Sequence, residues 1–313
     1  MEVIKDIEEA TKKLGKMALA LGNFDGVHLG HQRLIRSMVS YSRSHHLPAV
    51  VFTFHPHPSQ VLFPEKAPRL LITPERRSEK IANLGVDALL MIPFTRDIAR
   101  LSPEFFIYDI LHRRLKTQAV FVGFNYTFGH RGAGTPELLR IKGEELGIRV
   151  EVLPPVKVGN VTVSSTEIRK ALEEGDIIRA RNYLGYWPII EGKVVLGDQR
   201  GRQIGFPTAN LERNEEVLLP ARGVYVAKVN VGGRLYDGVV NIGVKPTFGG
   251  EAAPIVEVHI LEFTQVIYGQ WITLFLLKKL RDECKFSSVK ELTEQIRKDI
   301  EAAKAHRYHS LFF

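Results

Sequence analysis

The sequence predicts two domains of unlike class: an α/β domain over residues 1–185 and a strand-rich domain with a terminal helix over residues 186–313. Three observations carry this. A length of 313 residues favours two domains over one. As far as residue 184, short apolar runs alternate with helix-length segments, the signature of a mostly parallel sheet covered on both faces. From 186 to 286 the texture changes to closely spaced strands with glycine turns, the signature of a small β-barrel or sandwich.

In the first half the expected buried strands are MALALG (17–22), AVVFTF (49–54), VDALLMI (86–92), QAVFVG (118–123) and RVEVL (149–153). Helices fit between them near 31–46, 75–84, 103–115 and 135–147. Two further helices close this half. Ser164 and Glu167 form a capping box for the first, and Asp176 and Gly185 bracket the second. In the second half the expected strands are 188–195, 223–231, 234–242, 254–260 and 270–277. Gly232-Gly233, Gly249-Gly250 and Tyr268-Gly269 mark turns between them. A last helix is expected from Ser288 to about His309. It should be capped by Ser288 with Glu291 and pack on the strands through Val289, Leu292, Ile296 and Ile300.

Composition narrows the class. With 44% hydrophobic and 25% charged residues, the chain is expected to fold rather than stay disordered. The one cysteine, Cys284, excludes a disulfide framework and a cysteine-based zinc site. The N-terminus is charged, without an apolar signal core, and WITLFLL (271–277) stops at Lys278-Lys279, far short of a membrane span. The expectation is a cytoplasmic protein without membrane contact. A net charge of +8 favours anionic partners, whether nucleic acid, nucleotides or phosphorylated metabolites. Lys and Arg are scattered, with no basic block interleaved with aromatics, so a nucleic-acid partner is not expected.

Ligands of parallel sheets bind at the carboxyl ends of the strands. After MALALG comes Gly22-Asn23-Phe24-Asp25-Gly26-Val27-His28-Leu29-Gly30-His31, a glycine-containing loop opening a helix. Its free N–H groups and dipole suit a phosphate. His28 and His31, three apart, project to one side and can donate to phosphate oxygens where charge builds up. There is neither a Walker A loop nor a GxGxxG fingerprint. His57, between two prolines, either contacts a phosphate or holds its loop. Asn125, after the fourth strand, either binds a base or phosphate or serves a turn. Ser164, Ser165 and Thr166 either cap a helix or, with Arg169, clamp a phosphate.

The second half has its own polar groups. In Gly205-Phe206-Pro207-Thr208-Ala209-Asn210, the Thr208 hydroxyl and Asn210 carboxamide share one face if extended, and hard oxygens of this kind suit magnesium beside phosphates. A satisfied turn is the plainer alternative. In PIVEVHI, Ile255, Glu257 and His259 share one face and Val256, Val258 and Ile260 the other. Glu257 either faces water or takes a proton from a hydroxyl. Asn241-Ile242-Gly243 and Pro246-Thr247-Phe248 have the position of a ligand loop.

These motifs resemble a known family. GNFDGVHLGHQ is similar to the HxGH nucleotidylyltransferases. With FTFHPHP (52–58), VGFNYTFGHRGAGT (122–135), VSSTEIR (163–169), GFPTANL, PARGVY, NIGVKPTF, VEVHI, YGQ and LRDECKF in order, the chain resembles the bacterial bifunctional riboflavin kinase/FAD synthetases along almost its whole length. The resemblance implies a Rossmann-like HxGH nucleotidylyltransferase domain over 1–185 and a β-barrel riboflavin kinase domain over 186–313. It implies ATP-dependent phosphorylation of riboflavin to FMN, then adenylylation of FMN to FAD, with magnesium accompanying ATP. It assigns Thr208 and Asn210 to the metal–ATP pair and Glu257 as base on the ribityl 5′-hydroxyl. His28, His31, residues 22–26, His57, Asn125, Ser164, Ser165, Thr166 and Arg169 go to nucleotide and phosphate. Arg281 is given to flavin or to a loop over it. Leu196 stands where relatives often have histidine. The expected partners are small molecules, and the expected state is a monomer or weak homo-oligomer.

Overall fold

The computed structural model describes residues 1–197, 199, 201, 204–246 and 252–306, which fall into two compact units, Met1–Ser165 and Thr166–Phe313. The first unit runs β1 (Glu2–Ile4), α1 (Ile7–Leu14), β2 (Met17–Leu21), α2 (Leu29–Ser44), β3 (Ala49–His55), α3 (Pro58–Leu62), α4 (Pro74–Ala82), β4 (Ala88–Pro93), α5 (Pro103–Phe105), which continues as a π-helical stretch (Phe106–Arg114), β5 (Thr117–Gly123), α6 (Pro136–Glu145) and β6 (Arg149–Leu153). A two-stranded hairpin, β7 (Lys157–Val158) with β8 (Val161–Thr162), follows.

The sheet order is β1-β4-β3-β2-β5-β6, with every pairing parallel. Alternation along each strand fills two cores. Met17, Leu19 and Leu21 of β2, with Val50 and Phe52 of β3 and Val120 and Val122 of β5, face α1, the π-helical stretch and α6. Ala18 and Ala20 of β2, with Ala49, Val51, Ala119 and Phe121, face Leu34, Ile35 and Met38 of α2 and Ile81 of α4. Burial on both faces is why these strands read as continuous apolar runs. From β2 the chain moves outward through β3 and β4 on one side and through β5 and β6 on the other. The crevice between the carboxyl ends of β2 and β5 is therefore the topological switch point, where such sheets take ligands.

The second unit holds α7 (Ser165–Glu173, which begins at the division), α8 (Ile177–Leu184), β9 (Ile189–Val195), β10 (Ala209–Arg213), β11 (Gly223–Val231), β12 (Arg234–Pro246), β13 (Ala252–Ile260), β14 (Trp271–Arg281) and α9 (Val289–Ala305). Six strands close an antiparallel barrel in the order β10-β13-β12-β11-β14-β9. Val240, Val256, Val258, Leu274 and Leu276 are buried in it. Gly232 and Gly233, both at positive φ, make the two-residue turn that joins β11 to β12, where Asn230 Oδ1 accepts from the Gly233 N–H. The helix α8 packs on β14, and α9 packs on β12 and β11. Coverage from outside explains why β11 and much of β14 are buried on both faces.

Several expectations are amended. The parallel sheet has a sixth strand, β1, and the barrel a sixth, β10. The strand expected to end at 242 runs on to Pro246, so Gly243 lies in β12 with Asn241 and Ile242 and the three do not form a ligand loop. The Ser288 hydroxyl caps α9 as expected, but the Glu291 carboxylate reaches back to the N–H and hydroxyl of Ser287 rather than to Ser288. Val289 is exposed, and the buried face of α9 centres on Asp299 and Ala303. The expected turn at Gly249-Gly250, residues Thr247 and Phe248, and the helix end near His309 lie outside the described residues.

The Asp176 carboxylate accepts from the Arg179 N–H at the start of α8, and Gly185 ends it in the left-handed region. Packing joins α7 and α8 to the barrel, earlier in the chain than the change of sequence texture at 185. The Ala221 N–H donates to the Leu172 carbonyl, and the Arg181 guanidinium lies 4.5 Å from the centre of the Trp187 ring. A fragment starting at Trp187 loses the buried Ile177, Ala180, Tyr183 and Leu184. That loss should cost at least about 3 kcal/mol of hydrophobic stabilisation. A fragment starting at Ser164 should therefore melt about 10 °C higher than one starting at Trp187. Equal melting temperatures in calorimetry would show that these helices do not stabilise the barrel.

Candidate active sites

The first polar cluster sits at the switch point. Beyond β2 the chain turns through Phe24 and Val27, both at positive φ, a strained conformation for non-glycine residues. Phe24 is fully buried, and its ring lies over Gly22; a side chain there would come within 3.1 Å of Phe24 Cζ. Gly30 makes the matching allowance for His28, whose Cε1 would lie 3.1 Å from an added Cβ. These glycines let the loop fold tightly against the start of α2.

His28 is the N-cap of α2, its Nδ1 accepting from the His31 N–H at 3.3 Å. That contact fixes the tautomer: a neutral His28 carries its proton on Nε2, leaving Nε2–H as a donor. The two imidazoles stack with centroids 3.6 Å apart and planes at 16°, and His31 meets the Phe24 ring edge-on at 5.2 Å. Burial pushes the His28 pKa down to about 4. Burial, then His28, then the Arg77 guanidinium hold His31 well below the usual histidine range. Both rings are therefore neutral near pH 7. His31 Nδ1 is buried and without a hydrogen-bond partner among the described residues. A buried orphan nitrogen is costly unless something satisfies it, and a bound phosphate is one such group.

The other expected residues divide between framework and crevice. Asp25 is buried, and its Oδ1 accepts from the Leu71 N–H at 2.9 Å, tying the loop to the segment before α4. The Asp25 carbonyl accepts from the Ser165 hydroxyl at 2.9 Å, so the SSTE segment is joined to the β2 loop. Asn23 is exposed, with its carbonyl turned inward. His57 caps α3 in a box with Gln60, its Nδ1 accepting from the Ser59 N–H. Asn125 is exposed just beyond β5, across the crevice from the β2 loop. Ser164 precedes α7, Thr166 lies in its first turn, and Arg169 stands one turn beyond Ser165.

The second cluster lies on the outer face of the barrel. Val256, Val258 and Ile260 are buried, which turns Glu257 and His259 outward as the alternation predicted. Glu257 on β13 stands directly opposite Asn210 on β10 and Asn241 on β12, a row of three polar side chains across neighbouring strands. His259 Nδ1 hydrogen-bonds the Pro207 carbonyl at 2.7 Å, so its proton is on Nδ1, and the ring anchors the GFPT segment beside Glu257. Two glycines allow close packing at this corner. A side chain at Gly197 would collide with the Asn210 carboxamide, and one at Gly201 would collide with the Phe206 carbonyl and come within 3.4 Å of Thr208 Oγ1. Gly205 is at positive φ, as the turn into Thr208 requires. Arg281 donates to both carboxylate oxygens of the buried Asp299, to the Asp282 carbonyl and to Cys284 Sγ. It thereby fastens the segment after β14 to α9.

Two family models divide the chain along these two architectures: FAD synthetase matches residues 10–167 and riboflavin kinase matches residues 184–307. The bifunctional riboflavin kinase/FMN adenylyltransferase of Bacillus subtilis is 42% identical over 300 residues, covering 94% of this chain and 93% of its own. That of Escherichia coli strain K12 is 38% identical over 282 residues, covering 90% of each. The chain belongs to the bifunctional riboflavin kinase/FMN adenylyltransferase family.

A solved Streptococcus pneumoniae chain described as a macrolide-efflux protein matches as well, at 34% identity and a TM-score of 0.87, covering 97% of this chain and 99% of that one. Among the described residues here, no helix is long and apolar enough to cross a membrane. For a riboflavin kinase/FMN adenylyltransferase the donor set suits magnesium. Thr208 and Asn210 offer neutral oxygens, packed beside Gly201 and Gly197. The described residues hold no cluster of three or more His, Cys, Asp or Glu side chains for a metal. Magnesium does not need one, since it is commonly held by one or two side chains plus substrate phosphates.

Two residues beside these clusters carry no role in the sequence reading. Asn241 falls both at the end of the expected strand 234–242 and in a stretch with the position of a ligand loop, because nothing in NIGVKP says that β12 runs on to Pro246. Arg77 is only 5% exposed and reaches the ends of two strands from α4. Its signal was present in the spacing, since Arg77 lies four residues before the buried Ile81 and so shares its core-facing side.

Proposed function

We propose that the C-terminal unit transfers the γ-phosphoryl group of ATP to riboflavin, and that the N-terminal unit transfers the adenylyl group of a second ATP to the FMN so formed. The observation that carries this reading is the pair of family matches, each falling on an architecture with its own polar cluster. The reaction sequence is riboflavin to FMN to FAD, with ADP released by the first step and pyrophosphate by the second.

In the kinase step Glu257 is the base. Its carboxylate takes the proton of the ribityl 5′-hydroxyl as that oxygen attacks the γ-phosphorus and ADP leaves. Asn210 and Asn241 flank it on the neighbouring strands, and His259 fixes the GFPT segment at its side. Thr208 and Asn210 would hold a magnesium ion with the nucleotide; when bound, the ion draws charge from the phosphates. In the adenylylation step a phosphate oxygen of FMN attacks the α-phosphorus of ATP, a new P–O bond forms, and the bond to pyrophosphate breaks. No covalent enzyme intermediate is required, so positioning and charge stabilisation do the work. His28 Nε2–H and His31 donate to the phosphate on which charge builds up. Residues 22–26, Asn125 and the helix start at Ser164, Ser165 and Thr166 line the nucleotide, with Arg169 as a guanidinium for its phosphates. His57 holds the loop after β3 and Arg281 the segment over the flavin.

The protein works on small molecules in the cytoplasm, without nucleic acid or membrane, as a monomer or weak homo-oligomer. Incubation with riboflavin, ATP and magnesium, followed by chromatography of the flavins, tests the reading. FMN should appear first and FAD later, with ADP and pyrophosphate in proportion. Unchanged riboflavin together with unchanged FMN, when FMN is supplied directly, would overturn it.

A further inference from the structure

Arg77 is a buried cation without a role in either step. It projects from the first turns of α4 and is 5% exposed. The carboxylates of Asp25, from the β2 loop, and of Glu75, from its own helix, act on it through space. Its hydrogen bonds go to backbone. Nη1 donates to the Asn23 carbonyl at 2.8 Å and Nη2 to the Phe54 carbonyl at 3.2 Å. Nε is buried without a partner among the described residues. Burying a guanidinium against two carbonyls is expensive, and a hydrophobic side chain of similar size would fill the space at lower cost. Core packing therefore does not account for an arginine here.

The two carbonyls lie at the carboxyl ends of β2 and β3, at the edge of the crevice. The Asn23 carbonyl is held twice, by Arg77 and by the buried Thr53 hydroxyl at 3.2 Å. A trans peptide sets its C=O and the following N–H on opposite sides. Locking the Asn23 carbonyl inward thus turns the Phe24 N–H the other way. That N–H makes no hydrogen bond among the described residues. The same guanidinium acts through space on His31, which stacks on His28 at the start of α2.

We propose that Arg77 is a positioning residue for adenylyl transfer: it aims the Phe24 N–H as a backbone donor to the transferring phosphate. The proposal rests on the reading of the N-terminal unit as the adenylyltransferase. Binding of the nucleotide brings phosphate charge to a loop that is already set, so the energy of aligning that donor is spent in folding rather than at the reaction.

The test uses the full-length enzyme with Arg77→Met and Arg77→Lys, measuring FMN adenylylation against pH and riboflavin phosphorylation in the same preparations. For Arg77→Met, kcat for adenylylation should fall by about 100-fold, as expected for a misplaced reacting group. KM for ATP should change little, and riboflavin phosphorylation should be retained. Without that cation His31 protonates more readily, so the acid limb of the pH–rate profile should move up. Arg77→Lys restores the charge without the two-carbonyl fork. It should leave the acid limb in place while kcat stays depressed. A role in folding alone would lower active fraction and leave the limb unmoved in both variants, and that result overturns the proposal. So does a wild-type profile in Arg77→Met. If Arg77→Met does not fold, Arg77→Lys decides: full wild-type kcat there excludes the fork. Failure of wild-type enzyme to adenylylate FMN would instead count against the reading of the domain, not against Arg77.

Discussion

Replacing His28 and His31 together should all but abolish FMN adenylylation while leaving riboflavin phosphorylation intact. His28 offers a neutral Nε2–H because its Nδ1 is occupied by the His31 N–H, and His31 brings a buried nitrogen with no hydrogen-bond partner among the described residues. Removing one preorganised donor to developing charge typically costs ~3 kcal/mol, or about 100- to 1000-fold in rate. The two rings stack on one another, so the two losses should not add in full. The alanine at 28 also deletes the N-cap of α2, which costs about 1 kcal/mol of stability. His28→Asn separates the two effects, since asparagine is itself a good N-cap. It should keep the thermal stability of the N-terminal unit yet lose the same catalytic factor. Single-turnover formation of FAD from FMN and ATP, with riboflavin phosphorylation followed in parallel, reads both outcomes. Near-normal FAD formation by the double variant would remove the histidines from the reaction.

The reach of the sequence can be judged element by element. The strands β2, β3, β4 and β5 were legible because burial on both faces writes an uninterrupted apolar run, whereas β6, at the sheet edge with only Leu153 buried, was legible from the alternating Val150 and Val152. The sixth, β1, is three residues long with only Ile4 buried, which leaves no period to detect. In the barrel β10 was missed for the same reason: of ANLER only Leu211 is buried. The histidine pair was legible because a glycine loop after a buried strand and before a helix is a pattern with a physical meaning. Glu257 was legible from alternation alone, but its neighbours were not. That Asn210 and Asn241 stand on either side of it depends on strand register between segments far apart in the chain. Arg77 shows the other limit. Its spacing from Ile81 marks it as core-facing, yet spacing cannot say that the guanidinium spans the ends of β2 and β3. Asp25 carries a chemically suggestive residue type, while its Oδ1 is occupied by the Leu71 N–H.

The corresponding experiment on the barrel is Glu257→Gln, which keeps size and hydrogen-bonding capacity but removes the basic carboxylate. General-base catalysis is worth about 100- to 10,000-fold, and the riboflavin-to-FMN rate should fall by that range. The placement of the residue makes the loss specific. Glu257 projects from the outer face of β13, opposite to Val256 and Val258 in the barrel interior, so the substitution leaves the core untouched. The expected change in melting temperature is accordingly small. ATP affinity should also hold, because the nucleotide and its magnesium are assigned to Thr208 and Asn210, on a segment anchored by His259. FMN supplied directly should still become FAD, because that chemistry is assigned to the other unit. Kinase turnover within about threefold of wild type would fall short of the loss of a general base and exclude Glu257 from that role. A variant that lost FAD formation from FMN as well, while still folded, would show that the two units act on one another. The FAD synthetase and riboflavin kinase models match separate stretches of chain, and on that basis the FAD-forming step should proceed at its wild-type rate.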